Sequence, residues 1–137
     1  DVNSVFKKYL VKGKPGHVSH IWTSLNEAVD WIRGSGGQAV IAHPARYKLG
    51  NNLLEQLLHE FCELGGTGIE VVTSSHTPEQ TRQFAQLASR MHLYASCGSD
   101  YHGPGESYFD LGRLPALPPE CVPIWTKWEI PNIQKNQ

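Results

Sequence analysis

Asp100 and His102 stand two residues apart at the end of the stretch Leu93-Tyr94-Ala95-Ser96-Cys97-Gly98-Ser99-Asp100-Tyr101-His102-Gly103. A carboxylate and an imidazole at this spacing, in a turn after a short apolar strand, can face one point. Together they are ligand chemistry for a hard-to-borderline divalent cation. The competing reading is a turn aspartate bonded to its own backbone, with a surface histidine beside it. The motif alone leaves the two evenly balanced. His43 shifts the balance. It follows the apolar run Gln38-Ala39-Val40-Ile41-Ala42 and precedes Pro44. By itself it reads better as a core histidine bonded to a carbonyl. Beside Asp100 and His102 it completes a set of nitrogen and oxygen donors at strand ends. Such a set suits Mn²⁺, Fe²⁺ or Zn²⁺, and Mg²⁺ less well because Mg²⁺ prefers oxygen.

Two further residues fit phosphate chemistry. Arg46 lies three residues past His43. A guanidinium near a divalent cation makes a bidentate phosphate clamp, against the plainer reading of a surface salt bridge. His76 closes Ser74-Ser75-His76 immediately before a helix start, where anions are favoured. A solvated loop histidine is an equally good reading of it. Glu70, inside Gly68-Ile69-Glu70-Val71-Val72, reads slightly better as half of an ion pair than as a group that orients a ligand. His17 and His20 read as loop residues without a ligand role, His59 as solvated, and His92 as a cation at a helix end. Cys97 reads as a small packing residue rather than a nucleophile.

The elements that must position these residues alternate. Ser24-Leu25-Asn26-Glu27 is a capping box, and Leu25, Ala28, Val29 and Ile32 continue at helical spacing, which predicts a helix over 25–33. Gly34 to Gly37 stop it, and a strand over 38–42 follows. Leu53, Leu54, Leu57, Leu58, Phe61 and Leu64 predict a helix closed by Gly65-Gly66. The strand 68–72 comes next. Thr77-Pro78-Glu79-Gln80 then supplies an N-cap, a proline at the first helical position and a capping glutamine. Phe84, Leu87, Ala88 and Met91 give that helix its apolar face, and a strand over 93–97 ends at the Asp100 turn. This rhythm is α/β, with parallel strands and flanking helices, and it puts the candidate residues at the carboxyl edge of a sheet. Three segments are expected: 1–23 as an incoming helix and loop, 24–103 as the βα units with the site, and 104–137 as a proline-rich closing segment. Within the last, 122–128 is expected to add a strand that buries Trp125 or Trp128, with a frayed tail from 131 to 137.

The totals set limits. A chain of 137 residues fits one domain with a real core. A net charge of −1 supplies no overall basic field for nucleic acid, so any phosphate recognition is local. The three cysteines form no C-x-x-C pair, which argues against a disulfide scaffold or zinc ribbon and for a reducing, cytoplasmic location. No run approaches a membrane span, and no signal-peptide pattern opens the chain.

Taken together, Ala42-His43-Pro44, Gly68-Ile69-Glu70-Val71, Ser74 through Gln80 and Gly98-Ser99-Asp100-Tyr101-His102 resemble later motifs of the PHP (polymerase and histidinol phosphatase) superfamily. The similarity is to its TrpH-like branch of bacterial metal-dependent phosphoesterases, which includes ribonuclease AM, a 5′-to-3′ exoribonuclease. It extends over almost the whole chain. It implies the C-terminal portion of a distorted (β/α)₇ barrel holding up to three metals, typically Mn²⁺. His43, Asp100 and His102 would be metal ligands, and Arg46 and His76 would stand near the phosphate. The family's opening H-x-H and its next acidic ligands have no counterpart here, since His17-Val18-Ser19-His20 has the wrong spacing. The expectation is therefore a fragment, inactive by itself, of a phosphoesterase that acts on 5′-phosphorylated nucleotides or short single-stranded RNA. An open sheet edge would favour self-association of such a piece. A phosphatase of a small metabolite and a non-catalytic interaction module are the alternatives.

Overall fold

The computed structural model describes residues 1–19, 21–105 and 108–128. The ends of its long helices follow from a few side chains and turn residues. α1 (Val2–Val5) runs into a π turn over Phe6–Leu10, and the first ten residues are all exposed. α2 (Leu25–Gly34) opens on the expected capping box. The Ser24 hydroxyl accepts the Glu27 N–H at 3.2 Å, and the Glu27 carboxylate accepts the Ser24 N–H at 3.1 Å. α3 spans Asn51–Glu63. α4 (Pro78–Arg90) repeats the capping box through Thr77 and Gln80.

All three long helices stop in the same way. The chain turns through one left-handed residue, and two backbone N–H groups return to the last turn. Gly36 and Gly37 donate to Arg33 and Ile32, and Gly65 and Gly66 to Cys62 and Phe61. After α4 the left-handed position is His92, at φ +55°, with His92 and Leu93 donating to Ser89 and Ala88. A cationic role at a helix end was expected for His92. Its backbone does the work of a glycine there.

Each helix then feeds a strand. β1 (Val40–Ile41), β2 (Gly68–Thr73) and β3 (Tyr94–Gly98) form a parallel sheet in the order β1-β2-β3. α3 links the first pair and α4 the second, so parallel pairing follows from the crossovers. Val29, Leu54, Leu58 and Phe61 from α2 and α3, and Phe84, Leu87 and Ala88 from α4, pack with Ile69, Val71, Val72 and Ala95 of the sheet. A bulge falls in β2 between Glu70 and Val72, which pair with Ser96 and Cys97. Val71 is thus an extra residue, and the strand no longer alternates simply.

Two expected strands differ. The one over 38–42 contracts to Val40–Ile41 because His43 turns left-handed and ends the extended run. The one over 122–128 is not formed. Pro123 makes a single parallel bridge to Ala95, and a 3₁₀ turn over Ile124–Lys127 follows. Proline has no N–H to continue a ladder. Ile124 is the buried residue there, and Trp125 and Trp128 are 40% and 58% exposed. The expected frayed tail, 131–137, lies outside the described residues, as does His20. The outer edge of β1 pairs with no strand among the described residues.

Candidate metal and phosphate site at the strand ends

The sheet brings the ends of β1, β2 and β3 side by side, and two of them are left-handed at residues other than glycine. His43 has φ +34° and Asp100 has φ +50°. Such a backbone costs about 1–3 kcal/mol per residue and persists where the surroundings enforce it. At His43 part of the enforcement is visible. Its N–H donates to Glu70 Oε2 at 2.6 Å, while Pro44 begins a 3₁₀ turn that carries the chain away over Ala45 and Arg46.

Glu70 is the hub of the site. It reaches His43 across the β1–β2 pair, and it lies so close to β3 that a Cβ on Gly98 would stand 2.8 Å from Glu70 Oε1. Gly98 therefore makes room for the carboxylate. Burial pushes the Glu70 carboxyl above its ordinary value, and the Asp100 charge adds to this. The His43 N–H and ring charge work against it. Glu70 in turn helps to raise the Tyr47 phenol and the Cys97 thiol, in both cases after burial. The ion pair slightly favoured for Glu70 is not what the structure shows. Its visible partner is a backbone N–H of a candidate ligand.

Arg46 and Asp100 meet: Nη1 lies 2.9 Å from Oδ2. The guanidinium carries five N–H donors in a fork, so this contact leaves donors for a phosphoryl oxygen. The Asp100 carbonyl lies 2.6 Å from His102 Nδ1. A carbonyl only accepts, so Nδ1 holds a proton, and the lone pair of a neutral His102 ring is on Nε2. That tautomer presents Nε2 as the ligand-competent nitrogen.

His76 is placed differently from either sequence reading. It is 9% exposed, packs on the Phe84 ring at 4.7 Å, and donates from Nδ1 to the Val71 carbonyl at 3.0 Å. That carbonyl belongs to the extra residue of the bulge. Nε2 accepts the Ala45 N–H at 3.4 Å. His76 therefore fastens the turn after β1 to β2. Burial, with the His43 charge adding, pushes its pKa below the ordinary histidine value. Ser74 ties the other side: its hydroxyl donates to the Ser99 carbonyl and accepts the Phe109 N–H at 3.2 Å.

A divalent cation is the group this arrangement implies, and two observations bear on its fit. Nδ1 of His43 is buried and has no hydrogen-bond partner among the described residues. A buried nitrogen of this kind is costly unless something outside the described residues uses it. The donor chemistry of His43, Asp100 and His102 also suits such an ion. No three His, Cys, Asp or Glu side chains gather tightly enough to hold a metal among the described residues. The residues fit as part of a donor set. Glu70 is the site residue that sequence reasoning undervalued. A carboxylate in an apolar strand, opposite a glycine-containing strand, was the available signal.

No protein-family model matches the chain. A 3′,5′-nucleoside bisphosphate phosphatase of Chromobacterium violaceum is 54% identical over 129 residues, covering 94% of this chain and 45% of that protein. The 5′-3′ exoribonuclease Rnm of Escherichia coli is 43% identical over 127 residues, 93% of this chain and 43% of its own length. The chain thus spans less than half the length of the curated relatives it matches. Among solved structures, an amidohydrolase of Chromobacterium violaceum with bound sulfate and no metal superposes with a TM-score of 0.76 at 54% identity, over 92% of this chain and 43% of that one. A protein of Bifidobacterium adolescentis described as a metal-dependent phosphoesterase gives 0.57 at 27% identity, over 76% and 37%. The expected parallel strands and flanking helices are present, and the relatives are the phosphatase and exoribonuclease hydrolases that the motifs anticipated. Along nearly its whole length the chain is similar to part of these phosphatase and exoribonuclease hydrolases, consistent with the PHP resemblance of its motifs.

Proposed function

We propose that the whole protein hydrolyses phosphate esters of 5′-phosphorylated nucleotides or short RNA, with Mn²⁺ as the working metal. In this reading His43, Asp100 and His102 are metal donors, and further donors come from outside the described residues. The observation that carries it is the buried Nδ1 of His43, unpartnered among the described residues and held in a left-handed backbone beside Glu70. A divalent ion at such a donor set supplies Lewis-acid polarisation and a hydrolytic nucleophile at neutral pH.

The chain's own residues do the rest. Glu70 holds the His43 backbone and so fixes where that ring stands. Arg46, anchored on Asp100, offers its remaining N–H groups to the phosphoryl oxygens as charge develops on them. His76 contributes by holding the Ala45 turn, which carries Arg46. The catalytic role expected for His76 is thus one of positioning. The bisphosphate phosphatase and exoribonuclease activities named for the relatives share one requirement, a phosphate ester on a nucleoside. That shared chemistry is the substrate class assigned here.

The test is phosphate or mononucleotide release by the whole protein from adenosine 3′,5′-bisphosphate and from a 5′-phosphorylated RNA oligonucleotide, with Mn²⁺ and with a chelator. Metal-dependent release from at least one is expected. Absence of release from both, with any divalent ion, contradicts the reading.

A further inference from the structure

Next to the strand ends lies a cavity of about 710 Å³, between the end of β2, the start of α4 and the segment around Phe109. Its volume is that of a small-ligand site. Thr73, Ser74, Arg82, Tyr108 and Phe109 are among its walls. Three features separate it from an incidental cleft. It is joined to the candidate phosphate site through one residue, because Ser74 lines it and also bonds to the Ser99 carbonyl beside Asp100. One wall is an aromatic pair, with Tyr108 and Phe109 edge-to-face at 5.7 Å and 82°, and Tyr108 is 88% exposed. The third feature is Thr73, only 1% exposed, whose hydroxyl has no partner among the described residues.

We propose that this cavity is the nucleoside subsite of the same centre, with the base of the substrate stacked on Tyr108 and its phosphate toward Arg46 and Asp100. The inference rests on the nucleotide reading above and goes beyond it by naming the residues that bind the base. An exposed aromatic ring is the stacking surface that a base uses, and it tolerates any base because every base has a π-face. Arg82 stands on the α4 side of the cavity, already steadied by Glu79 at 2.9 Å. Thr73 lines the cavity, and its hydroxyl, unpartnered among the described residues, favours a base over an apolar peptide side chain. A base edge carries donors and acceptors that a turned hydroxyl can meet, and an apolar side chain would leave it unsatisfied.

The test compares adenosine 3′,5′-bisphosphate with the same bisphosphate on an abasic sugar, using the whole protein with Mn²⁺. Tyr108→Ala is on the surface, so its folding is not in question. It is expected to raise KM for the nucleotide roughly 5- to 100-fold, and to leave kcat and both constants for the abasic compound unchanged. Thr73→Val, nearly the same shape, should raise KM for the nucleotide by about two- to tenfold. Equal handling of the two compounds by the unaltered protein overturns the subsite and leaves the phosphoesterase reading standing. So does an equal effect of Tyr108→Ala on both. If neither compound is hydrolysed, the subsite is overturned, and the phosphoesterase reading falls as well only if the 5′-phosphorylated RNA is also left intact.

Discussion

The two edges of the sheet obey different rules. At the edge where helices end and strands begin, three helices close with the same pair of backbone bonds, and two of them use glycine for the left-handed residue. At the opposite edge, His43 and Asp100 are left-handed without being glycine, Glu70 is a half-buried carboxylate, and His43 Nδ1 and the Thr73 hydroxyl lack partners among the described residues. The first edge is built for stability. The second carries costs that local structure does not offset, and such costs concentrate where a protein binds or reacts.

That contrast can be broken most forcefully from the core beneath both edges. Phe61, 2% exposed, fills the space over Gly66, where an added Cβ would meet its ring at 2.2 Å. Phe61→Ala should cost about 3–5 kcal/mol, read by denaturant unfolding. A loss below 1 kcal/mol would mean that the packing described here is not the packing in solution.

Glu70→Gln tests the reactive edge. The amide oxygen can still accept the His43 N–H, so the fold should survive. Burial raises the Glu70 carboxyl above its ordinary value, so the folded state holds the extra proton between those values. Stability from this group then declines as pH rises through that window. Gln removes this pH dependence, so the variant's thermal stability should fall less than the unaltered protein's as pH rises from acid towards neutral, while turnover should fall about 10- to 100-fold, the usual loss for a group that orients a ligand. Unchanged turnover would make Glu70 a structural residue only.

His76 offers a pH test between the edges. Its folded pKa lies below the ordinary value. The stability of the neutral, buried ring is therefore fully present above about pH 6.5 and is lost as pH falls below it. Thermal melts from pH 7.5 to 5 should show a steeper fall for the unaltered protein than for His76→Asn. Parallel curves would contradict the fastening role. The smallest effect belongs to the stable edge. His92→Gly should stabilise by about 0.5–1 kcal/mol, since glycine takes the left-handed turn without the Cβ clash. A loss of stability would show that the His92 side chain matters more than its backbone.

How much of this was legible in the sequence follows the same division. The capping boxes at Ser24 and Thr77 and the glycine stop after Glu63 could be read because helix ends are set by neighbours in the chain. So could the placement of His43 and Asp100 at strand ends. Glu70 was underweighted because its contacts, the His43 N–H and the space over Gly98, come from strands distant in sequence. His76 was misjudged for a related reason. The bulge that frees the Val71 carbonyl for it leaves no mark in residue type. The strand expected over 122–128 failed at Pro123, where an apolar pattern outweighed the missing N–H in the reading and not in the fold.

The measurement that bears most directly on the central claim is Mn²⁺ binding by the whole protein, followed by calorimetry, with and without Asp100→Ala. The account predicts stoichiometric binding, weakened more than about tenfold by the substitution, with an unchanged melting profile in the absence of added metal. Equal affinity in the two proteins would remove Asp100 from the donor set and contradict the assignment of this edge as the metal site.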